Sequence, residues 1–341
     1  MPIDATLHQE LLLVLDQEFY RTQEKYLHGS AMAEMLKYHY ETGGKRLRPF
    51  LVWAVLQELG SKEDWKKNSL PFALAVELIH NATLIHDDIQ DGDSYRRGKP
   101  TLWKKYSMAQ AINCGDAWFF LSLLHAQDAE LAPQLQLDLQ RLVQVGTLSV
   151  IEGQAQEFLL KEKFLRGEMP SLTEYLQMVN GKTSPLFSIP LVGAAKLGKA
   201  PEKILRSLER QSVLLGEAFQ IQDDLVDIWG QKGRERAGSD IAEGKLSFPL
   251  VLLLPKLSGA EKQKVWDLIV KDRNATTDED IAYVIALYER CEVREEALDR
   301  FQKIVSELKT HQELPKLNQY LSRWLEDSVA KISRSLGGIS N

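Results

Sequence analysis

Two aspartate-rich motifs with the same spacing occur far apart in the chain. The first is DDIQD at residues 87–91, and the second is DDLVD at residues 223–227. In an α-helix the first and fifth residues of such a motif lie one above the other, with the second close by. Three carboxylates within one helical turn repel one another, so we expect a cation between them. The residues predicted to bind metal are Asp87, Asp88, Asp91, Asp223, Asp224 and Asp227.

The ligand type of these motifs predicts Mg²⁺. Carboxylate oxygens suit a hard cation, and Mg²⁺ commonly takes one or two carboxylates together with waters and substrate phosphates. A calcium-binding EF-hand loop starting at Asp87 is the alternative, because Asp87 and Asp91 suit its first and fifth positions. Its third position would then be Ile89 and its twelfth Gly98, where a bidentate Glu is required. The sequence therefore argues against calcium at this motif.

Two basic segments supply the charge that an anionic substrate needs. GGKRLRP at residues 43–49 places Lys45 and Arg48 at a helix start, where backbone amides and cations together attract an anion. Directly after the first aspartate motif, RRGKPT at residues 96–101 holds Arg96 and Arg97, whose forked donors suit phosphate oxygens. A basic run alone is typical of a solvated face. Beside two predicted Mg²⁺ motifs, it indicates a phosphate-bearing substrate.

The segments that carry these motifs have helical periodicity. Alternating β-branched strands bounded by turn residues are missing, and the breaks contain the Gly, Asp and Pro expected of loops. We therefore predict a single all-α domain over residues 1–341, in which each aspartate motif ends a long apolar helix. Apolar residues at three- and four-residue spacing predict helices over 8–26, 46–59, 69–88, 108–126, 134–160, 173–195, 203–228, 261–271, 280–306 and 315–335.

The composition excludes several classes of protein. Hydrophobic residues make up 44% of the 341 and charged residues 26%, as in ordinary soluble proteins. A net charge of −6 and a pI near 5.8 argue against a nucleic-acid binder. Cys114 and Cys291 lack metal-ligand spacing and are expected to be reduced thiols in a cytoplasmic protein. We expect neither a signal peptide nor a transmembrane segment.

In this order and spacing, the motifs resemble the trans-isoprenyl diphosphate synthases, also called polyprenyl synthetases. The resemblance covers a catalytic core from about residue 43 to residue 250, and the rest is similar only in helical character. It implies an all-α bundle of about ten or more helices around a deep central cavity, with the two aspartate motifs facing each other across its mouth. The matching stretches are GGKRLRP (43–49), ELIHNATLIHDDIQDGDSYRRGKPT (77–101), GD (115–116), GKTSPLF (181–187), FQIQDDLVD (219–227) and GSDIAEGKLSFPL (238–250).

The resemblance also implies a role for each motif residue. The six aspartates would bind Mg²⁺, three ions per active site, that bridge an allylic diphosphate. Contacts to that diphosphate, or to the cation formed from it, would come from Arg96, Lys182, Thr183, Gln220 and Lys245. Isopentenyl diphosphate would be held by Lys45, Arg48, His80 and Arg97. Apart from the resemblance, His80 is typical of a hydrogen-bonded core histidine.

The implied reaction is head-to-tail condensation of isopentenyl diphosphate with an allylic diphosphate, carried out by a homodimer. A class I terpene cyclase is one alternative, but it has no use for a second diphosphate site. A non-catalytic synthase subunit is another, although such a subunit would be expected to lose one aspartate motif. The chain departs from the family pattern before residue 238, where Lys232, Arg234 or Arg236 would replace a family lysine.

Product length is predicted from the residues one helical turn before the first motif. An extended isoprene unit is about as long as one such turn, roughly 5 Å. Ala82 and Thr83 are small, so a growing chain could pass them beyond fifteen carbons, and Phe119 or Phe120 would form a floor deeper down. The expected product is geranylgeranyl diphosphate, with farnesyl and longer polyprenyl diphosphates as alternatives.

Overall fold

The computed structural model describes residues 5–61, 65–128, 131–230 and 238–334. Within these ranges it contains sixteen α-helices, two short 3-10 turns and one two-stranded antiparallel hairpin, so the all-α prediction is confirmed. The elements are α1 (Ala5–Leu27), α2 (Ala31–Tyr40), α3 (Leu47–Glu58), α4 (Trp65–Gln90), β1 (Tyr95–Arg96), β2 (Lys99–Pro100), α5 (Leu102–Lys105), α6 (Met108–Asp128), α7 (Pro133–Leu165), α8 (Leu172–Lys182), α9 (Pro185–Leu197), α10 (Glu202–Trp229), α11 (Ser239–Ala242), α12 (Phe248–Leu253), α13 (Gly259–Ile269), α14 (Asp278–Arg290), α15 (Val293–Thr310) and α16 (Pro315–Arg334).

Contacts along the chain define two compact units. Unit 1 comprises residues 1–148 and 186–212, and unit 2 comprises residues 149–185 and 213–341. The first aspartate motif belongs to unit 1 and the second to unit 2. The prediction of a single domain over residues 1–341 stays a prediction. None of the described helices combines the length and apolar character needed to cross a lipid bilayer.

The core of unit 1 is built where α4 packs along α6. Leu74, Leu78 and Ile85 recur at helical spacing on α4 and are fully buried. They meet a cluster that includes Trp118 of α6 and the stacked rings of Phe19 and Tyr40, whose centroids are 3.8 Å apart. This apolar stripe holds α4 in place up to its C-terminal turn, where the first aspartate motif lies.

Unit 2 is held together by aromatic contacts between its helices. Phe164 of α7 stacks on Trp266 of α13 with ring centroids 4.3 Å apart. Near the end of α10, Trp229 packs on Tyr288 of α14, and its indole Nε1 donates to Glu289 Oε1 at 2.7 Å. These contacts fix the C-terminal turns of α10, which carry the second aspartate motif.

The predicted helices agree with the structure except at two breaks and four additional short helices. The single helix predicted over 173–195 is interrupted at Thr183–Ser184, because Pro185 starts α9 and disfavours helical geometry in the residue before it. The helix predicted over 280–306 is broken at Glu292, which has a left-handed backbone with φ of 54°. Sequence periodicity missed α2, α5, α11 and α12, since all four helices are short.

Candidate functional site

The first aspartate motif occupies the last turns of α4. The side chain of Asp88 is buried, and its Oδ1 accepts from Arg96 Nε at 2.7 Å and from Arg96 Nη2 at 2.6 Å. The other oxygen, Oδ2, is buried without a hydrogen-bond partner. Burial raises the pKa of Asp88 to about 6, although the Arg96 guanidinium opposes that rise. Asp87 and Asp91 are half-buried and, four residues apart, share one helix face.

The hairpin of β1 and β2 positions Arg96 at this end of α4. Its two-residue turn is formed by Arg97 and Gly98, with φ of 54° and 76°, the positive values of a type I′ turn. Thr101 Oγ1 and Trp103 Nε1 each donate to the carbonyl oxygen of Asp93 at 2.8 Å. These bonds close the loop on itself, so the position of Arg96 is set by the backbone of the hairpin.

The basic segment GGKRLRP, residues 43–49, forms the loop before α3 and the first residues of that helix. Gly44 lies against the Arg97 guanidinium, and a Cβ placed on Gly44 would be 2.9 Å from Arg97 Nη1. Arg48, in the first turn of α3, is buried over the ring of Phe187 at 5.6 Å, and its Nε has no hydrogen-bond partner. Burial, together with the positive charge of Arg97, lowers the pKa of Arg48 to about 10. The side chain of Lys45 is exposed.

His80 lies among these arginines as a neutral imidazole. Burial lowers its pKa well below the usual value, and the charges of Arg48 and Arg97 lower it further. Its Nδ1 is buried without a hydrogen-bond partner. Four of the predicted substrate-binding residues, Arg48, His80, Arg96 and Arg97, therefore influence one another within unit 1.

The second aspartate motif is held mainly by neutral donors. Asp224 is buried, and its Oδ2 accepts from the Tyr175 hydroxyl at 2.9 Å and from the Phe248 amide at 2.6 Å. Its Oδ1 accepts from Gln220 Nε2 at 2.9 Å. Burial raises the pKa of Asp224, and these hydrogen bonds oppose the rise. Asp223, the first residue of the motif, is half-buried.

Asp227 holds the start of α11. Its Oδ1 accepts from Ser239 Oγ at 2.5 Å, and its Oδ2 accepts from the Asp240 amide at 3.0 Å. Gly238, just before this short helix, has a left-handed φ of 73° and donates its amide to the Asp227 carbonyl. Both carboxylate oxygens of Asp227 therefore serve the segment that leads to Lys245.

The predicted catalytic residues of unit 2 are each paired. Lys182 Nζ donates to Glu157 Oε2 at 2.6 Å, and Lys245 Nζ lies 2.9 Å from Glu243 Oε2. Thr183 Oγ1 donates to Gln220 Oε1 at 3.2 Å. This bond fixes the orientation of the Gln220 amide, whose nitrogen donates to Asp224 as described.

A glycine contact seats Lys182 against α7. A Cβ on Gly153 of α7 would lie 2.2 Å from the backbone nitrogen of Lys182 and 2.5 Å from the Gly181 carbonyl carbon. Only a glycine allows the end of α8 to approach α7 this closely. Gly153 therefore determines the position of the Lys182 backbone, from which the lysine side chain extends.

The six motif aspartates are the residues predicted to bind Mg²⁺. In the described part of the chain, no three His, Cys, Asp or Glu side chains form a group that could hold a metal ion. The motif ligands are carboxylates, which favour hard cations that also bind waters and phosphate oxygens. Metal binding by the six aspartates stays a prediction. Three of them, Asp88, Asp224 and Asp227, are in addition held by protein donors.

The sequence analysis missed residues that hold these groups. Glu77 of α4 and Arg46 form a buried ion pair, and a charged residue inside an apolar helical stretch was the available signal. Tyr175 and Glu157 gave no signal, because their partners Asp224 and Lys182 lie far from them in sequence. Glu243 lies only two residues from Lys245, but an acid in a polar loop does not stand out. The candidates Lys232, Arg234 and Arg236 lie outside the described residues.

Comparison with known proteins gives concordant results. A family model described as polyprenyl synthetase matches residues 30–288. The chain is 34% identical over 252 residues to a short chain isoprenyl diphosphate synthase of Methanocaldococcus jannaschii, covering 72% of each chain. It is 32% identical over 272 residues to a farnesyl diphosphate synthase of Bacillus subtilis, covering 77% of this chain and 88% of the relative. The crystal structure of a geranylgeranyl pyrophosphate synthetase from Pyrococcus horikoshii has a TM-score of 0.82 at 25% identity, covering 94% of this chain and 97% of the other.

Proposed function

This chain belongs to the polyprenyl synthetase family and is a transferase of the prenyl diphosphate synthase class, and from that premise we propose that it condenses isopentenyl diphosphate with an allylic diphosphate, with geranylgeranyl diphosphate as the main product. The observation that carries this proposal is the charge balance of unit 1. Arg46 is paired with Glu77 and Arg96 with Asp88, whereas Arg48 keeps a buried Nε without a partner and Arg97 adds a further positive charge.

Such an excess of positive charge supports a diphosphate site separate from the aspartate motif. Partial desolvation lowers the pKa of Arg97, and repulsion from Arg96 and Arg46 lowers it further. A bound diphosphate would relieve that repulsion. Neutral His80 can donate one ring N–H to the same anion. A terpene cyclase, which binds a single diphosphate, has no need of this site. We assign it to isopentenyl diphosphate.

We assign Mg²⁺ binding to the six aspartates of the two motifs, Asp87, Asp88, Asp91, Asp223, Asp224 and Asp227. Bound Mg²⁺ would neutralise the charge that develops on the oxygens of the leaving diphosphate. Protein donors to Asp88, Asp224 and Asp227 would in addition orient these three carboxylates. Arg96, Lys182 and Lys245 would add positive charge around the diphosphate.

The residues around Gln220 are suited to the electron-deficient intermediate of such a transfer. The Gln220 amide nitrogen is committed to Asp224, so its oxygen is turned towards the Thr183 hydroxyl. Both oxygens carry partial negative charge that would stabilise an allylic cation without forming a bond to it. The apolar side chains of the core would exclude water, which would otherwise trap the cation.

The proposed product length rests on the face of α4 that precedes the first motif. Thr83 is half-buried and its hydroxyl donates to the His80 carbonyl at 2.7 Å, whereas Ala82 is fully buried in the core that contains Trp118. Phe119 is half-buried against His86, so it remains the candidate for the floor. Phe120 is 70% exposed, which corrects the expectation that it could form an interior floor of unit 1.

An assay of chain elongation tests the function directly. Purified protein with Mg²⁺, labelled isopentenyl diphosphate and dimethylallyl, geranyl or farnesyl diphosphate should give mainly twenty-carbon product. Thr83→Phe should shorten the product and Phe119→Ala should lengthen it, whereas Phe120→Ala is the matched control and should not change it. Transfer to none of the primers would overturn the proposal, and a main product of another length would overturn only its last part.

We also propose a homodimer that uses the outer face of α6. Met108, Ile112, Phe120 and Leu124 follow one another at multiples of four residues and are all exposed. Such an apolar stripe is typical of a surface that a second copy covers. Light scattering should show a dimer, and Phe120→Asp should shift it towards monomer. Leu13→Asp, at an equally exposed leucine on α1, is the control and should not.

A further inference from the structure

Arg46 stands in the middle of the basic loop, yet its guanidinium turns inward. Its Nη1 donates to Glu77 Oε1 at 2.7 Å and its Nη2 to the Tyr40 carbonyl at 2.8 Å. Asn81 Nδ2 donates to the same Glu77 oxygen at 2.8 Å. We propose that Arg46, Glu77 and Asn81, termed the α4 anchor, position Lys45 and Arg48 for isopentenyl diphosphate without touching it. This inference rests on the function proposed above.

The ion pair of the α4 anchor is an unusual choice for stability alone. The two side chains, of Arg46 and Glu77, are only 5% and 3% exposed. Removing two charges from water costs about as much as their attraction returns, so apolar side chains of the same volume often stabilise a protein equally well. Arg46 also has a left-handed backbone with φ of 49°, a strained conformation for a residue with a Cβ. Both features are explained if the loop must keep one geometry.

Arg46 lies between Lys45 and Arg48 in the chain, so the α4 anchor can position both side chains. Arg46 is the residue that precedes α3, and its carbonyl accepts the first hydrogen bond of that helix, from the Phe50 amide. Lys45 comes immediately before it, and Arg48 lies in the first turn after it. Fixing the backbone at Arg46 therefore fixes the start of both side chains.

The α4 anchor also ties this loop to the helix of the first aspartate motif. Glu77 and Asp87 are both on α4, and ten residues of α-helix span about 15 Å. The helix α4 is unbroken between them, so the basic loop and the metal-binding turn are both positioned relative to this one helix. The charge of Glu77 also opposes the fall in the pKa of Arg48 that burial causes.

The test separates positioning from stability. Glu77→Gln should raise the KM for isopentenyl diphosphate about tenfold, the size expected for weakening a hydrogen bond to a charged group. The KM for the allylic primer should stay within about twofold of wild type, since the loop does not serve that substrate. The Tm should fall as well, because Arg46 is left buried without its counter-charge.

The double variant Arg46→Met with Glu77→Leu then removes both charges. Its Tm should recover towards wild type, while the KM for isopentenyl diphosphate stays raised. If the anchor only stabilised the fold, both quantities would recover together, which would overturn the inference. Glu217→Gln is the control, because it breaks a partly buried ion pair to Arg300 in unit 2 and should lower the Tm without raising this KM.

A binding measurement keeps this inference distinct from the proposed activity. Isopentenyl diphosphate alone should raise the Tm of the wild-type protein, and the double variant should lose most of that rise. Wild-type protein that transfers no isoprenoid would overturn the proposed function, but this loss of binding would still support the anchor. No Tm rise in the wild type, or an equal rise in both proteins, would overturn the anchor.

Discussion

The two aspartate motifs have the same pattern, but their surroundings differ. In unit 1 the second residue of the motif, Asp88, is held by the charged guanidinium of Arg96. In unit 2 the corresponding Asp224 is held by a phenol, an amide side chain and a backbone amide. A cation compensates a buried carboxylate with its charge, whereas neutral donors do so with several oriented dipoles. The same five-residue pattern therefore has an electrostatic support in one unit and a hydrogen-bonded support in the other.

The largest expected effect is one that the two motifs share. Asp87→Ala and Asp223→Ala should each lower turnover by at least about a hundredfold, as for loss of a group that stabilises developing charge. The helical circular dichroism should not change, and a chelator should abolish the activity of the wild type. Asp299→Asn, an exposed acid of α15, is the control. Full activity in chelator would contradict metal dependence. Loss of turnover in only one of the two variants would show that the two motifs do not contribute equally to catalysis.

The second effect separates the two kinds of support. Arg96→Met leaves buried Asp88 without its cation, and the free energy of unfolding should fall by about 3 kcal/mol, near the lower end for a broken pair because Arg96 is 24% exposed. Tyr175→Phe removes one of three donors to Asp224 and should cost about 1 kcal/mol. Urea unfolding measures both values. Equal losses, or the reverse order, would contradict the difference between the motifs.

A third effect concerns the charges around the first motif. A Cβ at Gly44 would meet the mobile end of Arg97, so Gly44→Ala should displace that guanidinium and raise the KM for isopentenyl diphosphate severalfold, up to about tenfold. Gly43→Ala is a matched control, because Gly43 also has a positive φ, of 93°, but no atom lies within 4 Å of its added Cβ. The two variants should lose similar stability. A similar KM in both would mean that backbone strain, not Arg97, is responsible.

A fourth effect is an acid sensitivity of unit 1. Burial above all, and then the charges of Arg96, Arg97 and Arg46, lower the pKa of His39 to about 3. The unfolded chain binds this proton near pH 6.5 and the folded chain does not, so stability is present above that pH and is lost as the pH falls towards 3. The loss should approach about 1.4 kcal/mol per pH unit below pH 6.

Unfolding measured between pH 7 and pH 4.5 tests this effect. His39→Asn removes the titrating group and should make the free energy of unfolding less dependent on pH. His28→Asn, at an exposed histidine of unit 1, is the control and should keep the slope of the wild type. An unchanged slope in His39→Asn would show that burial and the neighbouring arginine charges do not keep a proton off this histidine.

Much of the fold and of the site could be predicted from the sequence, for physical reasons. Helical periodicity predicted the long helices, because burial of one face depends on spacing alone. The motifs at residues 43–49, 87–101 and 219–227 indicated the family, since their residue types and spacing suit diphosphate chemistry. Short helices were missed for the same reason, as α2 and α12 contain too few turns for a periodic signal.

The tertiary structure alone decided how each motif residue is supported. Asp88 meets Arg96 within eight residues, but Asp224 meets Tyr175, which is far away in sequence, and no spacing rule predicts that contact. The inward turn of Arg46 is likewise invisible in GGKRLRP, where it looks like Lys45 and Arg48. The sequence by itself determined which groups are present and which of them share a helix face. Which carboxylates and cations neutralise one another depends on packing between distant segments, and only the folded chain brings those segments together.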